Sequence, residues 1–168
     1  MICPQCGHDN VPGSEDCSRC GQDLTQFDRP LPQDRVERSL MEDPVSALHT
    51  KRPVTVTPMT TVAEAIRVML QHDIGVVLVV DAQGSLVGIF SERDVLLKVA
   101  GIRDNYAGLA VQEFMTPNPE TVTETDTLAF ALGKMDTRDF RHLVVLTEGR
   151  PAGVISVRDM LRHIVKLC

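Results

Sequence analysis

The chain has no tryptophan, one tyrosine and five phenylalanines among its 168 residues. Any hydrophobic core must therefore be built from Val, Leu, Ile, Met and Ala. No stretch approaches the roughly 20 consecutive apolar residues that a membrane-spanning helix needs, and the N-terminus has no positively charged and apolar leader pattern. A cytoplasmic location is the expectation. Excess positive charge is also missing: the formal net charge is −6, which argues against a broad basic face for nucleic acid or anionic lipid. Cysteine is absent between Cys20 and Cys168. What is present, 43% hydrophobic and 24% charged residues, suits a globular protein with a real core.

Four of the five cysteines fall in two knuckles, Cys3-Pro-Gln-Cys6-Gly7 and Cys17-Ser-Arg-Cys20-Gly21, with ten residues between Cys6 and Cys17. Each Cys-x-x-Cys-Gly turns tightly enough to aim two thiolates at one ion, the glycine taking the conformation that follows. Four thiolates select Zn²⁺, with iron the main alternative, and a site fully ligated by protein is structural. Cys3, Cys6, Cys17 and Cys20 are the expected ligands. Such a short segment resembles the zinc ribbons found at the ends of many prokaryotic proteins and has almost no core without its metal. Residues 1–42 hold eight acids against Arg19, Arg29, Arg35 and Arg38, a balance of −4. That charge favours a protein partner or a self-contact over nucleic acid. Cys168 reads as an ordinary tail residue, and His49, His72 and His163 show no ligand spacing.

The organisation expected is a ribbon over 1–24, a linker over 25–43 ending in a short helix, and a duplicated region over 44–101 and 102–168. The duplication shows as an offset of 66 that aligns Pro53-Val-Thr-Val56 with Pro119-Glu-Thr-Val122, Thr61 with Thr127, Ala65 with Ala131 and Met69 with Met135. After a one-residue deletion at a turn the offset becomes 65, aligning Gly88 with Gly153, Ser91 with Ser156 and Asp94 with Asp159. Each copy reads β-α-β-β-α. Helical spacing runs through Val62, Ala65, Ile66, Met69 and Leu70, and through Leu128, Ala131, Leu132 and Met135. Thr61 with Glu64 makes a capping box at the first helix. The runs Val76–Val80 and Leu143–Leu146 are too apolar for half-exposed strands. Closing helices bury Val95, Leu96 and Val99, or Met160, Leu161 and Ile164.

Both copies contain a segment of glycine, two apolar residues, serine, any residue, arginine and aspartate: Gly88-Ile-Phe-Ser-Glu-Arg-Asp94 and Gly153-Val-Ile-Ser-Val-Arg-Asp159. With Phe114-Met-Thr-Pro-Asn-Pro119 ahead of the second copy, the region resembles a tandem CBS-domain pair, a Bateman module, over roughly 44–167. The resemblance implies two modules related by a pseudo-twofold axis, an α+β or α/β architecture beside the small ribbon. It further implies clefts that take AMP, ADP, ATP or related adenosyl compounds, and a homodimer. The physics agrees: serine and free backbone N–H groups at a strand-to-helix corner favour phosphate, aspartate can accept from two ribose hydroxyls, and arginine can meet phosphate oxygens. The same Ser-x-x-Asp is also a plain capping box. The candidate nucleotide ligands are Ser91, Arg93, Asp94, Thr116, Thr121, Arg141, His142, Ser156, Arg158 and Asp159. Arg141-His142 stand where relatives reach phosphate, with Ile74-Gly75 in the first copy, so one cleft is expected to bind weakly or stay empty. No nucleophile is paired with a base. The function expected is a non-catalytic regulator with structural zinc; the alternative is a nucleic-acid regulator acting through the ribbon, with the pair as a dimerisation scaffold.

Overall fold

A computed structural model describes residues 2–11, 13–25, 32–48, 50–100, 105–137 and 140–168. It separates into two compact units, Met1–Arg38 and Ser39–Cys168. His49 and part of the expected linker lie outside the described residues.

In the first unit the two cysteine knuckles repeat one geometry. Gly7 and Gly21 both take φ +70°, and their N–H groups close turns onto the carbonyls of Cys3 and Cys17 at 2.9 and 2.8 Å. Short bridges, Ile2 to Asp9 and Asp16 to Asp23, complete each knuckle. Among the described residues of this unit, the buried apolar cluster is Leu24 with Cys3 and Cys17, and Cys6 packs against it. Helix α1, Arg35–Glu42, follows.

In the second unit the first copy gives β1 (Thr55–Val56), α2 (Val62–His72), β2 (Val76–Val80), β3 (Leu86–Ser91) and α3 (Glu92–Asp94), the last continuing as a π-helical turn Val95–Val99. Short 3₁₀ turns follow and lead to β4 (Thr116–Pro117). The second copy gives β5 (Thr121–Thr123), α4 (Leu128–Thr137), β6 (His142–Thr147), β7 (Arg150–Ser156) and α5 (Val157–Val165). The two copies match in detail: β1 is parallel to β2 and β5 to β6, each hairpin is antiparallel, and the register slips at Val79/Val80 and at Val145/Leu146. The Thr61–Glu64 capping box forms, Thr61 Oγ1 accepting from the Glu64 N–H at 3.3 Å and Glu64 Oε2 accepting from the Thr61 N–H at 3.1 Å.

The strands are apolar on both faces because both faces are covered. Val77 and Val79 point into the first copy's core with Val62, Ala65, Met69 and Phe90. Val76, Leu78 and Ile89 point the other way, onto Val144, Leu146 and Val154 of the second copy. Leu143 and Val145 complete the second copy's own core.

The lead-in segments are exchanged between copies. Val45 and Leu48, ahead of the first copy, pack in the second copy's core; Val111 and Phe114, ahead of the second, pack in the first copy's core. Two buried glycines make room for this crossing. A Cβ at Gly153 would lie 2.9 Å from Thr50 Cβ, and one at Gly88 would strike Met115 Sδ and lie 3.1 Å from the Thr116 carbonyl. Thr116–Pro117 pairs with β3, and Lys51 bridges to Val154 of β7. The glycine that opens each repeated segment thus accommodates a neighbouring chain, one of the two uses its lack of a side chain allows.

Four leucines placed in the core by helical spacing are on the surface: Leu70, Leu96, Leu132 and Leu161. Each helix covers the sheet with a single stripe, Val62, Ala65 and Met69 in α2 for example, and the neighbouring position faces out. Ile164 is half-buried.

Candidate functional site

The two strand-to-helix corners are built alike. Ser91 and Ser156 are N-caps in extended conformation, and each hydroxyl accepts from the aspartate N–H three residues on, at 3.4 Å. The aspartate replies through one oxygen: Asp94 Oδ2 and Asp159 Oδ2 each accept from the serine N–H at 2.9 Å and from its hydroxyl at 2.6 Å. Both motifs are therefore capping boxes in fact, and only Oδ1 of each carboxylate is left for anything else.

At the second corner Asp159 lines a cavity of about 750 Å³ between the two copies. Arg141, His142, Ser156, Arg158 and Asp159 line it together. The first copy contributes residues that sequence reasoning missed: the strap Lys51–Val54, the turn Asp73–Val76, and Glu92. Arg162 and the apolar Leu132 and Met135 complete the wall. The cations Lys51, Arg52, Arg141, Arg158 and Arg162 outnumber the acids Asp73, Glu92, Asp136 and Asp159 by one. The strap was legible only through the exchanged lead-in segment, which no local motif announces.

The other candidates lie elsewhere. Ser91, Asp94 and Thr116 meet at the first corner, where Thr116 Oγ1 donates to Asp94 Oδ1 at 3.3 Å. Arg93 is exposed and does not line the cavity. Thr121 belongs to β5, opposite Val144, and its carbonyl accepts from Lys134 Nζ at 2.8 Å. The strand register also corrects the comparison between corners. Val76 pairs with Ser91 as His142 pairs with Ser156, so Gly75 and Val76, not Ile74 and Gly75, stand in place of Arg141 and His142. The one-residue offset arises because the repeat deletion falls after this strand, in the hairpin. A Cβ at Gly75 would come within 3.1 Å of Glu92 Oε2, so an arginine there would displace that carboxylate.

Burial holds the half-buried His142 below the ordinary imidazole range; the carboxylates of Asp159 and Glu92 pull it back up, and the Arg141 guanidinium adds to the lowering. A histidine with a depressed folded value binds a proton more readily when unfolded. Its contribution to stability is therefore complete above about pH 6.5 and declines as the pH falls below that. Thermal unfolding of the wild type and of His142→Gln should diverge on going from pH 7.5 to 5.5, with the wild type losing more. Parallel curves would show that the imidazole does not titrate across this window.

His163 is less ordinary than its sequence context suggests. Its Nε2 lies 2.7 Å from Ser39 Oγ and 3.5 Å from Asp43 Oδ2, and Ser39 also bonds Asp43. This ties α5 to Ser39 and Asp43, among the first residues of the same unit.

In the N-terminal unit the four Sγ atoms lie within 4.8 Å of one another, with Cys3–Cys20 at 3.7 Å and Cys6–Cys17 at 3.6 Å. Tetrahedral zinc with bonds of about 2.3 Å places its sulfurs about 3.8 Å apart. The donor set fits a metal. Burial pushes the Cys17 thiol up, but N–H groups of Arg19 and Cys20, with the Asn10 amide, bring it down to about 6. The Gln22 N–H lowers Cys20, yet burial and the neighbouring Cys6, Cys3 and Cys17 push it up to about 12.

The family model for the CBS domain matches residues 45–101 and 111–166. An uncharacterised 17.7 kDa protein of Acidianus ambivalens is 36% identical over 126 residues, 74% of this chain and 75% of that one. The CBS domain-containing protein CBSCBSPB5 of Arabidopsis thaliana is 34% identical over 121 residues, 71% of this chain but only 22% of its own length. Among solved structures, a CBS-domain protein of Agrobacterium tumefaciens superposes with a TM-score of 0.63 at 36% identity, over 67% of this chain and 90% of that one. A CBS domain protein of Pyrobaculum aerophilum complexed with AMP superposes with a TM-score of 0.64 at 26% identity, over 73% and 98%.

Proposed function

Since the chain belongs to the CBS-domain family, we propose that its tandem pair is a non-catalytic regulatory module that binds an adenosyl ligand, of the AMP, ADP or ATP kind, in the cavity between the copies. The observation that carries this reading is the convergence of Asp159, Ser156, Arg141 and His142 on one cavity, opposite Lys51 and Arg52. Asp159 Oδ1 accepts from the ribose, the positive end of the α5 dipole favours phosphate, and the guanidinium groups neutralise it. Support comes from the Pyrobaculum aerophilum relative, whose structure holds AMP. A second comes from a CBS pair, 25% identical with a TM-score of 0.65, in complex with 5'-methylthioadenosine and S-adenosylmethionine.

The Cys₄ cluster holds zinc as a structural ion in this reading, and the acidic N-terminal segment offers contacts to a protein partner. The exposed Leu96, Leu97, Leu161 and Val165 supply the apolar surface for a homodimer. Ligand binding would stiffen the cavity walls and shift the relation between the two copies, which is how a binding module without chemistry regulates a partner.

Thermal unfolding with AMP, ADP, ATP or S-adenosylmethionine tests the proposal. At a ligand concentration of 100 Kd the folded state should gain about 2.7 kcal/mol. Asp159→Ala and Arg141→Ala should each remove most of that gain. No shift with any of the four ligands would end this reading.

A further inference from the structure

We propose that Lys98 fills the first corner from within the chain, so that Asp94 is a strut and the protein takes one adenosyl ligand per chain, at Asp159. This rests on the adenosyl-binding reading and specifies its stoichiometry.

The two carboxylates begin from identical capping boxes and differ in what holds the second oxygen. Asp94 Oδ1 lies 2.6 Å from Lys98 Nζ and receives the Thr116 hydroxyl at 3.3 Å. Lys98 Nζ reaches further, to the Phe114 carbonyl at 2.9 Å and to Thr116 Oγ1 at 3.3 Å. With Ser91 on the other oxygen, four donors surround a carboxylate side chain that is 8% exposed. A carboxylate offers about four acceptor positions, so none is left for a ribose diol. The network also joins the first copy's corner to Phe114–Thr116, the lead-in of the second copy.

At the second corner, Asp159 Oδ1 has only the guanidinium of Arg162 at 3.5 Å among the described residues, and that side chain is 61% exposed. The position equivalent to Lys98 under the offset of 65 is His163. Its imidazole is held by Ser39 and Asp43 and does not reach back to Asp159. One sequence position thus closes one corner and leaves the other open. The phosphate side agrees, since Gly75 and Val76 replace Arg141 and His142 at the first corner.

Native mass spectrometry and calorimetric titration with AMP, ATP and S-adenosylmethionine test this on the full chain. One equivalent should bind per wild-type chain. Asp159→Asn should weaken binding about tenfold and leave the melting temperature nearly unchanged. Asp94→Asn and Lys98→Met should each keep Kd within about twofold, lower the melting temperature by about 3–5 °C, and show non-additive effects when combined. Two equivalents on the wild type, or a tenfold loss of affinity in Asp94→Asn, would overturn the assignment of Asp94 while leaving the adenosyl reading intact. Binding of none of the three ligands would instead remove that reading and the count of one with it.

Discussion

Chelation of the metal-loaded protein should unfold the cysteine knuckles and leave the tandem pair folded. Among the described residues the N-terminal cluster buries Cys3, Cys17 and Leu24, far too little apolar surface to offset the chain entropy of ordering two knuckles. A metal held by the four thiolates would supply the difference, since structural zinc contributes about 10–16 kcal/mol of apparent binding energy in small modules. The pair Ser39–Cys168 has three apolar clusters of its own. Hydrogen exchange after EDTA should therefore lose protection at the N–H groups of Cys3, Gly7, Cys17 and Gly21, all backbone-bonded when folded. The main melting transition should stay within about 2 °C, as expected for units that unfold independently. Cys6→Ser and Cys17→Ser should reproduce the loss without chelator, and elemental analysis should return one zinc per chain. Retained protection in EDTA, or the visible absorbance of a four-thiolate iron site, would overturn the structural-zinc assignment.

Gly153→Val costs stability and ligand affinity together. A Cβ at this buried position would lie 2.9 Å from Thr50 Cβ, an atom bound directly to the backbone that cannot swing aside as the end of a long side chain can. Relief requires moving the Thr50–Val54 strap off β7, breaking the Lys51–Val154 bridge. The expected loss is about 3 kcal/mol, typical of overpacking a close-packed site, or about 6–12 °C for a chain of this size. Because Lys51, Arg52, Pro53 and Val54 line the cavity, adenosyl affinity should fall about tenfold as well. Gly133→Ala is the contrasting control. Gly133 sits inside α4 with open space where a Cβ would go, so alanine there should stabilise by roughly 0.5–1 kcal/mol. A Gly153→Val protein that melts and binds like the wild type would show that the strap is not wedged as described.

Local order was readable from residues alone. The offset of 66 falling to 65 located the two copies, and their β-α-β-β-α order followed from the change of apolar period. The capping box at Thr61 and Glu64 was visible because caps are set by neighbours three residues apart. The four cysteines were visible because a knuckle is a local turn. Even the asymmetry of the two corners was foreshadowed by Arg141 and His142 lacking counterparts, although the strand register was needed to show that Gly75 and Val76 are the residues opposite them.

Other features depended on distance in the fold. Leu70 and Leu161 satisfy a helical period as well as Met69 and Met160 do. Which side of a helix is covered is decided by the sheet beneath it, so they stand exposed. The serine–aspartate pair reads equally as a cap or a ligand site, and both corners are caps. Whether the remaining carboxylate oxygen is spent depends on Lys98 in one copy and on Ser39 and Asp43 capturing His163 in the other. The contacts from Ser39 and Asp43 cross more than a hundred residues.

The sequence by itself determined the duplication, the order of elements within each copy and the thiolate cluster, because periodicity, capping and knuckle spacing are interactions over a few residues. Only the tertiary structure decided that the lead-in segments change places, that one cavity collects Arg141, His142 and Asp159 with Lys51 and Arg52, and that Asp94 is already saturated. Those outcomes follow from close packing of two similar modules face to face, where small differences at single positions such as Lys98 and His163 are resolved by contacts that no local pattern encodes.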